Sequence, residues 1–173
     1  PDSALASHIM ILNWRGIVQM EESADLLKKF FRQADGALRA YAIQFAGQAL
    51  RNTDGELELV VMDRFKRLWE WRVAEMDKMA PTDASFEYVE FGWWFASGKL
   101  QLDWALDQLE FALKQTGAIS PQTDVVEQLD RMPPSLVVSV LKCLLHIAQQ
   151  STSNLEVWGW EEYAHSILQK AEQ

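Results

Sequence analysis

Apolar residues recur with a helical period along most of this chain, and the segment from Gln101 to Gln115 shows the pattern most clearly. Apolar side chains stand three and four residues apart there, and charged side chains fill the opposite face. The apolar positions are Leu102, Ala105, Leu106, Leu109 and Leu113. The spacing predicts an amphipathic helix, and Gly117 predicts its end because glycine readily takes the left-handed conformation that closes a helix.

Proline positions predict the next two helices. Ser120 and Pro121 are typical of a helix start, with Ser120 as the N-cap and Pro121 at the first helical position. The pair Pro133-Pro134 predicts the end of that helix and the start of another, from about Ser135 to Gln150. A break this short between two helices predicts an antiparallel hairpin.

The first half of the chain and its last segment follow the same pattern. The remaining helices are predicted between Ser23 and Asp35 and at about residues 37–51, 55–78, 84–96 and 158–171, with breaks at Asp35-Gly36, Pro81 to Asp83 and Ser97-Gly98. Tyr41 is expected on the apolar face of its helix, and Leu168 on the apolar face of the last one. No alternating strand pattern of useful length occurs.

These elements predict an all-α fold of eight or nine helices. The second helices of successive pairs begin near residues 36, 101 and 134, which indicates a HEAT-like helical repeat, an α-solenoid segment with a degenerate period. A compact helical bundle is the alternative. Residues 21–173 are expected to form the helical domain. Residues 1–20 are expected to be a separate N-terminal segment, either an artificial addition or the end of an upstream helix.

Three aromatic motifs carry a resemblance to a known class of proteins. They are Phe91-Gly92-Trp93-Trp94-Phe95, then Trp104-Ala105-Leu106, and later Trp158-Gly159-Trp160. From about Ala24 to Ala171 the chain resembles the C-terminal HEAT-like helical-repeat region of large bacterial multidomain proteins of the NTPase or defence type. The resemblance implies a non-catalytic protein-interaction, scaffolding or sensing module of a larger bacterial protein, and it supplies no catalytic residues.

Charge and cysteine content limit the partners and the compartment. The net charge of −9 argues against a general nucleic-acid surface and against docking on anionic membranes. The single cysteine and the lack of an apolar run near 18 residues are typical of a cytoplasmic protein. The expected partner is therefore another protein or another domain of the parent protein, with neither nucleic acid nor membrane involved.

Tryptophan is the most unusual feature, with eight residues in the chain. Most are expected to fill space between helices, but neighbouring tryptophans cannot both face one core, so one of each pair should be partly exposed. Interface hot spots are rich in Trp and Arg. The candidate interaction residues are Trp71, Trp93, Trp158 and Arg67. Arg67 belongs to a run with Arg64, Lys66 and Arg72 that is expected to be a solvated helix face.

No pattern of catalytic or metal-binding residues stands out. Cys143 and His146 are three residues apart, as two metal ligands could be, but a structural zinc site needs four ligands, and their helix is the most apolar stretch. Both are expected in the core. The chain is therefore predicted not to be an enzyme and to need no cofactor or metal. The alternative is a small helical ligand-binding or enzymatic bundle that uses a Trp-lined pocket.

Overall fold

A computed structural model describes residues 20–151 and 159–172, without the side chains of residues 150 and 151. Every regular element in these residues is helical, so the predicted all-α class is confirmed. The α-helices are α1 (Ser23–Gln33), α2 (Gly36–Arg51), α3 (Leu59–Met76), α4 (Pro81–Val89), α5 (Phe91–Ala96), α6 (Leu102–Thr116), α7 (Gln122–Asp130), α8 (Val137–Ser151) and α9 (Glu161–Ala171). A short 3₁₀ turn, Pro134–Leu136, precedes α8.

Local chemistry explains several of the predicted helix ends. The carboxylate of Asp35 accepts a hydrogen bond from the backbone N–H of Leu38 at 2.9 Å, which satisfies one of the free donors at the start of α2. Gly117 has a left-handed φ of 69° and closes α6 by donating its N–H to the carbonyl of Leu113. Gly98 is also left-handed, with a φ of 65°. The predicted ends at Gly98 and Gly117 are therefore confirmed.

Other boundaries differ from the prediction. The long helix α3 begins at Leu59 rather than near Gly55, and Gly55 has a φ of 71°, which a right-handed helix cannot contain. Pro81 was predicted in a loop, yet it is the first residue of α4, where its missing N–H costs nothing. The predicted helix over 84–96 is interrupted at Glu90, which separates α4 from α5.

The start of α7 is displaced by one residue. Its first helical residue is Gln122, and Pro121 rather than Ser120 occupies the N-cap position. Ser120 instead donates its backbone N–H to the carbonyl of Val89 at 2.9 Å. The loop before α7 is thus attached to the end of α4.

The core is aromatic where α3, α4 and α5 meet. Trp69 of α3 lies against Phe91 of α5 with ring centroids 4.5 Å apart, and Phe65 meets Trp94 edge-on at 5.5 Å. All four rings are buried. Edge-to-face and tilted contacts of this kind add to the stabilisation that burial already gives.

Two glycines allow backbone segments to approach closely around α5. A Cβ atom added to Gly47 of α2 would lie 2.5 Å from the Cβ of Trp93 and 2.6 Å from its carbonyl carbon. A Cβ added to Gly92 would lie 2.4 Å from the carbonyl oxygen of Ser120. The glycine of the aromatic motif therefore serves packing, and α2 and α5 form the most extensive helix contact.

The helices pack in chain order. Each makes its main contacts with helices that are one, two or three places away along the chain. In the described residues no single helix is long and apolar enough to cross a membrane. The segments Gln122–Asp130 and Pro134–Gln149 reach that length and composition only together, and they are bent by 117°.

Candidate functional site

An open groove of about 510 Å³ lies between α2 and α4. Residues at helical spacing form both walls. The α2 wall is Gly36, Ala37, Ala40, Tyr41 and Gln44, and the α4 wall is Asp83, Phe86 and Glu90. Both stripes stand beside the buried stripe of their own helix, so each helix uses one face for the core and an adjacent face for the groove.

Two aromatic side chains are exposed on opposite walls of this groove. Tyr41 is 55% exposed and Phe86 is 65% exposed, while the small residues Ala37 and Ala40 leave room between the helices. Tyr41 was expected on the apolar face of α2. That expectation is wrong, because Ala42, the next residue, takes the buried position. An exposed aromatic pair around a concave surface is typical of a binding site.

The groove carries negative charge that the fold does not neutralise. Asp83 and Glu90 line it, and among the described residues no basic side chain does. In the part of the chain that the structure describes, neither carboxylate forms an ion pair. Carboxylates left without a counter-ion beside apolar rings favour a positively charged ligand.

Glu90 is the more unusual of the two carboxylates. It is half-buried, and its Oε2 atom is buried without a hydrogen-bond partner. Burial raises the pKa of the Glu90 carboxyl above its ordinary value, and the Trp93 indole offsets part of this rise. The indole N–H of Trp93 is itself buried and reaches hydrogen-bond geometry with no acceptor. Two unsatisfied polar groups therefore lie next to each other, and one of them, the Glu90 carboxylate, lines the groove.

A fully neutralised carboxylate lies three residues before Glu90, within α4. Glu87 is completely buried and accepts hydrogen bonds from two arginines: Arg39 Nε at 2.7 Å, and Arg72 Nε and Nη2 at 2.6 and 2.8 Å. Arg72 also lies over the ring of Phe31, with Cζ 5.5 Å from the centroid. This cluster joins α2, α3 and α4 behind the groove. Arg72, expected on a solvated face, is in fact buried.

A second groove, of about 470 Å³, separates α3 from the start of α6. Leu59, Met62 and Trp104 line it together with the charged residues Asp63 and Lys66. Its charges already have partners: Asp63 pairs with Arg67 at 3.1 Å, and Lys66 lies 5.9 Å from the centroid of the Trp104 ring. The indole N–H of Trp104 donates to Glu70. This surface therefore offers apolar contact beside a lysine, and no carboxylate that lines it lacks an ion pair within the described residues.

Two of the candidate interaction residues lie on α3. Trp71 is half-buried against Phe31, and two cations of α1, Lys28 and Arg32, stand 6.0 and 5.6 Å from its ring centroid. The side chain of Arg67 is 64% exposed and pairs with Asp63 of its own helix. The ring of Trp71 thus lies beside side chains of this chain but stays partly exposed, and neither residue lines the groove between α2 and α4.

The remaining tryptophans behave largely as their pairing predicts. Trp69 and Trp94 are buried while their neighbours Trp71 and Trp93 are half-buried, so the expectation for these two pairs is confirmed. Trp160 is buried as expected. Trp158 lies outside the described residues. Leu168 was expected on the inner face of the last helix and is instead half exposed, whereas Ile167 is buried there.

Cys143 lies in the core of α8. It is fully buried, and desolvation raises the pKa of its thiol to about 12, with the charge of Glu110 adding to the rise. His146 is only half-buried. In residues 20–151 and 159–172 no group of three or more His, Cys, Asp or Glu side chains is placed to hold a metal ion. A protonated, inaccessible thiol is unsuited to nucleophilic chemistry.

Sequence reasoning missed Phe86, Asp83 and Glu90. A signal was present, since these residues stand three and four positions apart and would share one face of a helix. Two acidic residues on one helix face predict that this face meets solvent, and the Phe between them is then predicted to be exposed. This prediction was not made because residues 81–83 were interpreted as a loop.

Comparison with known proteins gives no relative: no family model, no curated protein and no solved structure matches this chain.

Proposed function

We propose that this chain is a non-catalytic protein-interaction module that binds a segment of a partner protein in the groove between α2 and α4. The observation that carries the proposal is the exposure of Tyr41 and Phe86 on the two walls of that groove. Aromatic side chains with a polar rim are typical of interaction sites, because rings bury a large area and lose little conformational entropy.

The groove has the dimensions of a site for one or a few side chains of a partner. Its volume of about 510 Å³ lies in the range of specific pockets, and its open side admits a continuous peptide rather than enclosing a small molecule. Ala37 and Ala40 on the α2 wall supply further apolar contact area.

The wider setting is also part of the proposal. We propose a HEAT-like array acting as a scaffolding or sensing part of a larger bacterial protein in the cytoplasm. Packing limited mainly to helices near one another in the chain supports the array, since each unit of a solenoid contacts only its neighbours. The aromatic motif Phe91-Gly92-Trp93-Trp94-Phe95 supports the parent type through its resemblance to such regions.

The test is selection of random dodecapeptides displayed on phage against the full chain. Peptides that bind the wild-type protein are then measured against the double variant Tyr41→Ala, Phe86→Ala. We expect the double variant to bind at least about tenfold more weakly, because loss of two aromatic contacts removes more than 1.4 kcal/mol.

A matched control comes from the second groove. Leu59 is 80% exposed, and Leu59→Ala removes a comparable exposed apolar side chain without touching α2 or α4. We expect this variant to bind like the wild type. If no peptide is selected, or if the double variant binds as well as the wild type with its helical circular dichroism unchanged, the proposal is wrong.

A further inference from the structure

The unpaired charge in the groove indicates which partner side chain enters it. We infer that the partner segment presents a Lys or Arg side chain whose aliphatic stem lies between Tyr41 and Phe86 and whose charge pairs with Glu90. This inference rests on the proposed function, and it specifies the chemistry of the partner.

The first argument is the cost of covering Glu90. Its Oε2 atom is already buried without a partner, so the carboxylate depends on the open groove for its remaining contact with water. A neutral apolar segment seated over Tyr41 and Phe86 would remove that water and leave a buried charge unpaired, which is strongly unfavourable. A basic side chain replaces the lost water with an ion pair.

The second argument is the fit of a basic side chain to the walls. Lys and Arg carry a long apolar stem that packs on aromatic rings while the charged end reaches a polar group. Cations are also attracted to the faces of aromatic rings. Tyr41 and Phe86 supply the rings, and Glu90 supplies the anion, all lining one groove.

Asp83 adds to the selectivity. It lies seven residues before Glu90, which follows the last residue of α4, and the two positions are about 10 Å apart along the axis for a rise of 1.5 Å per residue. A partner with acidic residues would meet two like charges, and this repulsion suppresses wrong partners. A segment with a second basic residue about 10 Å from the first satisfies both carboxylates.

Neighbouring groups of this chain do not neutralise Glu90 instead. Arg72, which is buried, and Arg39, which is partly exposed, both pair with Glu87 rather than with Glu90. The indole N–H of Trp93 lies close but does not reach hydrogen-bond geometry. Because Glu90 lines the groove, a positive charge from a partner would reach its carboxylate from that side.

The experiment uses the peptides selected on the wild-type chain. We expect them to be enriched in Lys or Arg, and synthetic versions to bind Glu90→Gln about tenfold or more weakly than wild type. The same substitution at Glu161, an exposed residue of α9, is the matched control and should change the affinity less than about twofold.

A double-mutant cycle isolates the pair. When the basic residue of the peptide is replaced by norleucine, the difference between wild type and Glu90→Gln should disappear, because the partner of the carboxylate is gone. The affinity of the unmodified peptide for wild type should also fall as salt is added.

The possible failures are distinguishable. Peptides that need Tyr41 and Phe86 but carry no basic residue, or show no coupling to Glu90, overturn this inference and leave the proposed function standing. Absence of any peptide that depends on the two rings overturns both. A wild-type chain that dimerises in sedimentation, next to a monomeric Tyr41→Ala, Phe86→Ala variant, would assign the groove to a second copy and also overturn the inference.

Discussion

Glu87 and Glu90 are chemically identical side chains three residues apart, and the protein treats them in opposite ways. Glu87 is fully buried, and two arginines from different helices hold both of its oxygens. Glu90 is half-buried at the groove, one of its oxygens is unpartnered, and burial raises its pKa. The fold supplies hydrogen-bond partners to both oxygens of the first carboxylate and leaves one oxygen of the second without a partner among the described residues.

Adjacent tryptophans repeat the contrast one turn further on. Trp94 is buried and donates its indole N–H to the carbonyl of Ile43 at 2.7 Å. Trp93 is half-buried, and its N–H is buried without an acceptor. The corner between α4 and α5 therefore has two sides. On the core side the Glu87 carboxylate and the Trp94 indole have hydrogen-bond partners, and on the groove side Glu90 Oε2 and the Trp93 indole have none among the described residues. Buried polar groups without partners are rare enough in folded proteins to mark a site.

The largest expected effect comes from Glu87→Gln. Removing the anion that pairs with both Arg39 and Arg72 leaves largely buried positive charge uncompensated, and loss of one partner from such a cluster costs about 3 to 5 kcal/mol. Chemical denaturation with urea measures the change in the free energy of unfolding.

The control for this prediction is the same substitution at Glu90, which should cost almost nothing. Equal destabilisation by the two variants would contradict the contrast between the core side and the groove side. A stable Glu87→Gln would show that Arg39, which retains some exposure, finds water instead.

A smaller effect is expected from Gly47→Ala, which tests what positions Trp93. The new methyl group would lie 2.5 Å from the Cβ of Trp93 and 2.6 Å from its backbone, so α2 and α5 must separate. We expect destabilisation of about 1 to 3 kcal/mol from overpacking, reduced somewhat by the better helix propensity of alanine.

Gly36→Ala provides the comparison on the same helix. A Cβ at Gly36 would meet nothing closer than the Arg39 guanidinium at 3.7 Å, an ordinary contact. This variant should be neutral or slightly more stable in thermal unfolding. If both alanine variants unfold at the wild-type temperature, the close approach at Gly47 does not constrain Trp93.

The sequence predicts elements well here and partners poorly, for a physical reason. Helical period located nearly every helix, and Gly98 and Gly117 marked two ends, because period and capping are local properties. The neutralisation of Glu87 depends on Arg39 and Arg72, which lie 48 and 15 residues away in the chain. No local pattern shows that these arginines neutralise Glu87. The groove residues Asp83, Phe86 and Glu90 do share one helical spacing, but the interpretation of residues 81–83 as a loop concealed it.

The tryptophan pair offers a prediction of intermediate size. Trp94→Phe removes a buried hydrogen bond to Ile43 and part of a ring packed on Phe65 and Trp69, so it should cost about 1 to 2 kcal/mol. Trp93→Phe removes a donor that has no acceptor and should change stability by less than about 0.5 kcal/mol.

Urea denaturation of both variants measures the difference. Both variants replace Trp by Phe, so a difference between their free energies of unfolding reports the different environments of the two side chains. A Trp93→Phe variant as unstable as Trp94→Phe would mean that the contacts of the Trp93 indole stabilise the fold as much as those of the buried Trp94 indole.

The smallest expected effect is that of Glu90→Gln, and its sign depends on pH. Burial raises the pKa of Glu90 in the folded protein, while in the unfolded chain it takes the ordinary value of about 4.3. Between these two values the folded protein binds more protons than the unfolded chain. The stability that Glu90 contributes is therefore complete below the unfolded pKa and is lost as the pH rises through the folded pKa. Gln does not titrate, so the variant should match the wild type in acid and become slightly more stable near neutrality, by no more than about 0.5 kcal/mol.

Scanning calorimetry between about pH 4 and pH 8 measures the difference in stability between Glu90→Gln and the wild type. Glu161→Gln on α9 controls for the loss of one charge from an acidic protein. If this difference does not vary with pH, or if Glu90→Gln is less stable than the wild type near neutrality, the Glu90 carboxylate is stabilised by another group of the free protein. Adding a selected basic peptide should reverse the order, because the ion pair stabilises only the protein that keeps the carboxylate. An acidic residue that weakens the free protein and strengthens the complex is the behaviour expected of a binding residue, and Glu87 should show no such reversal.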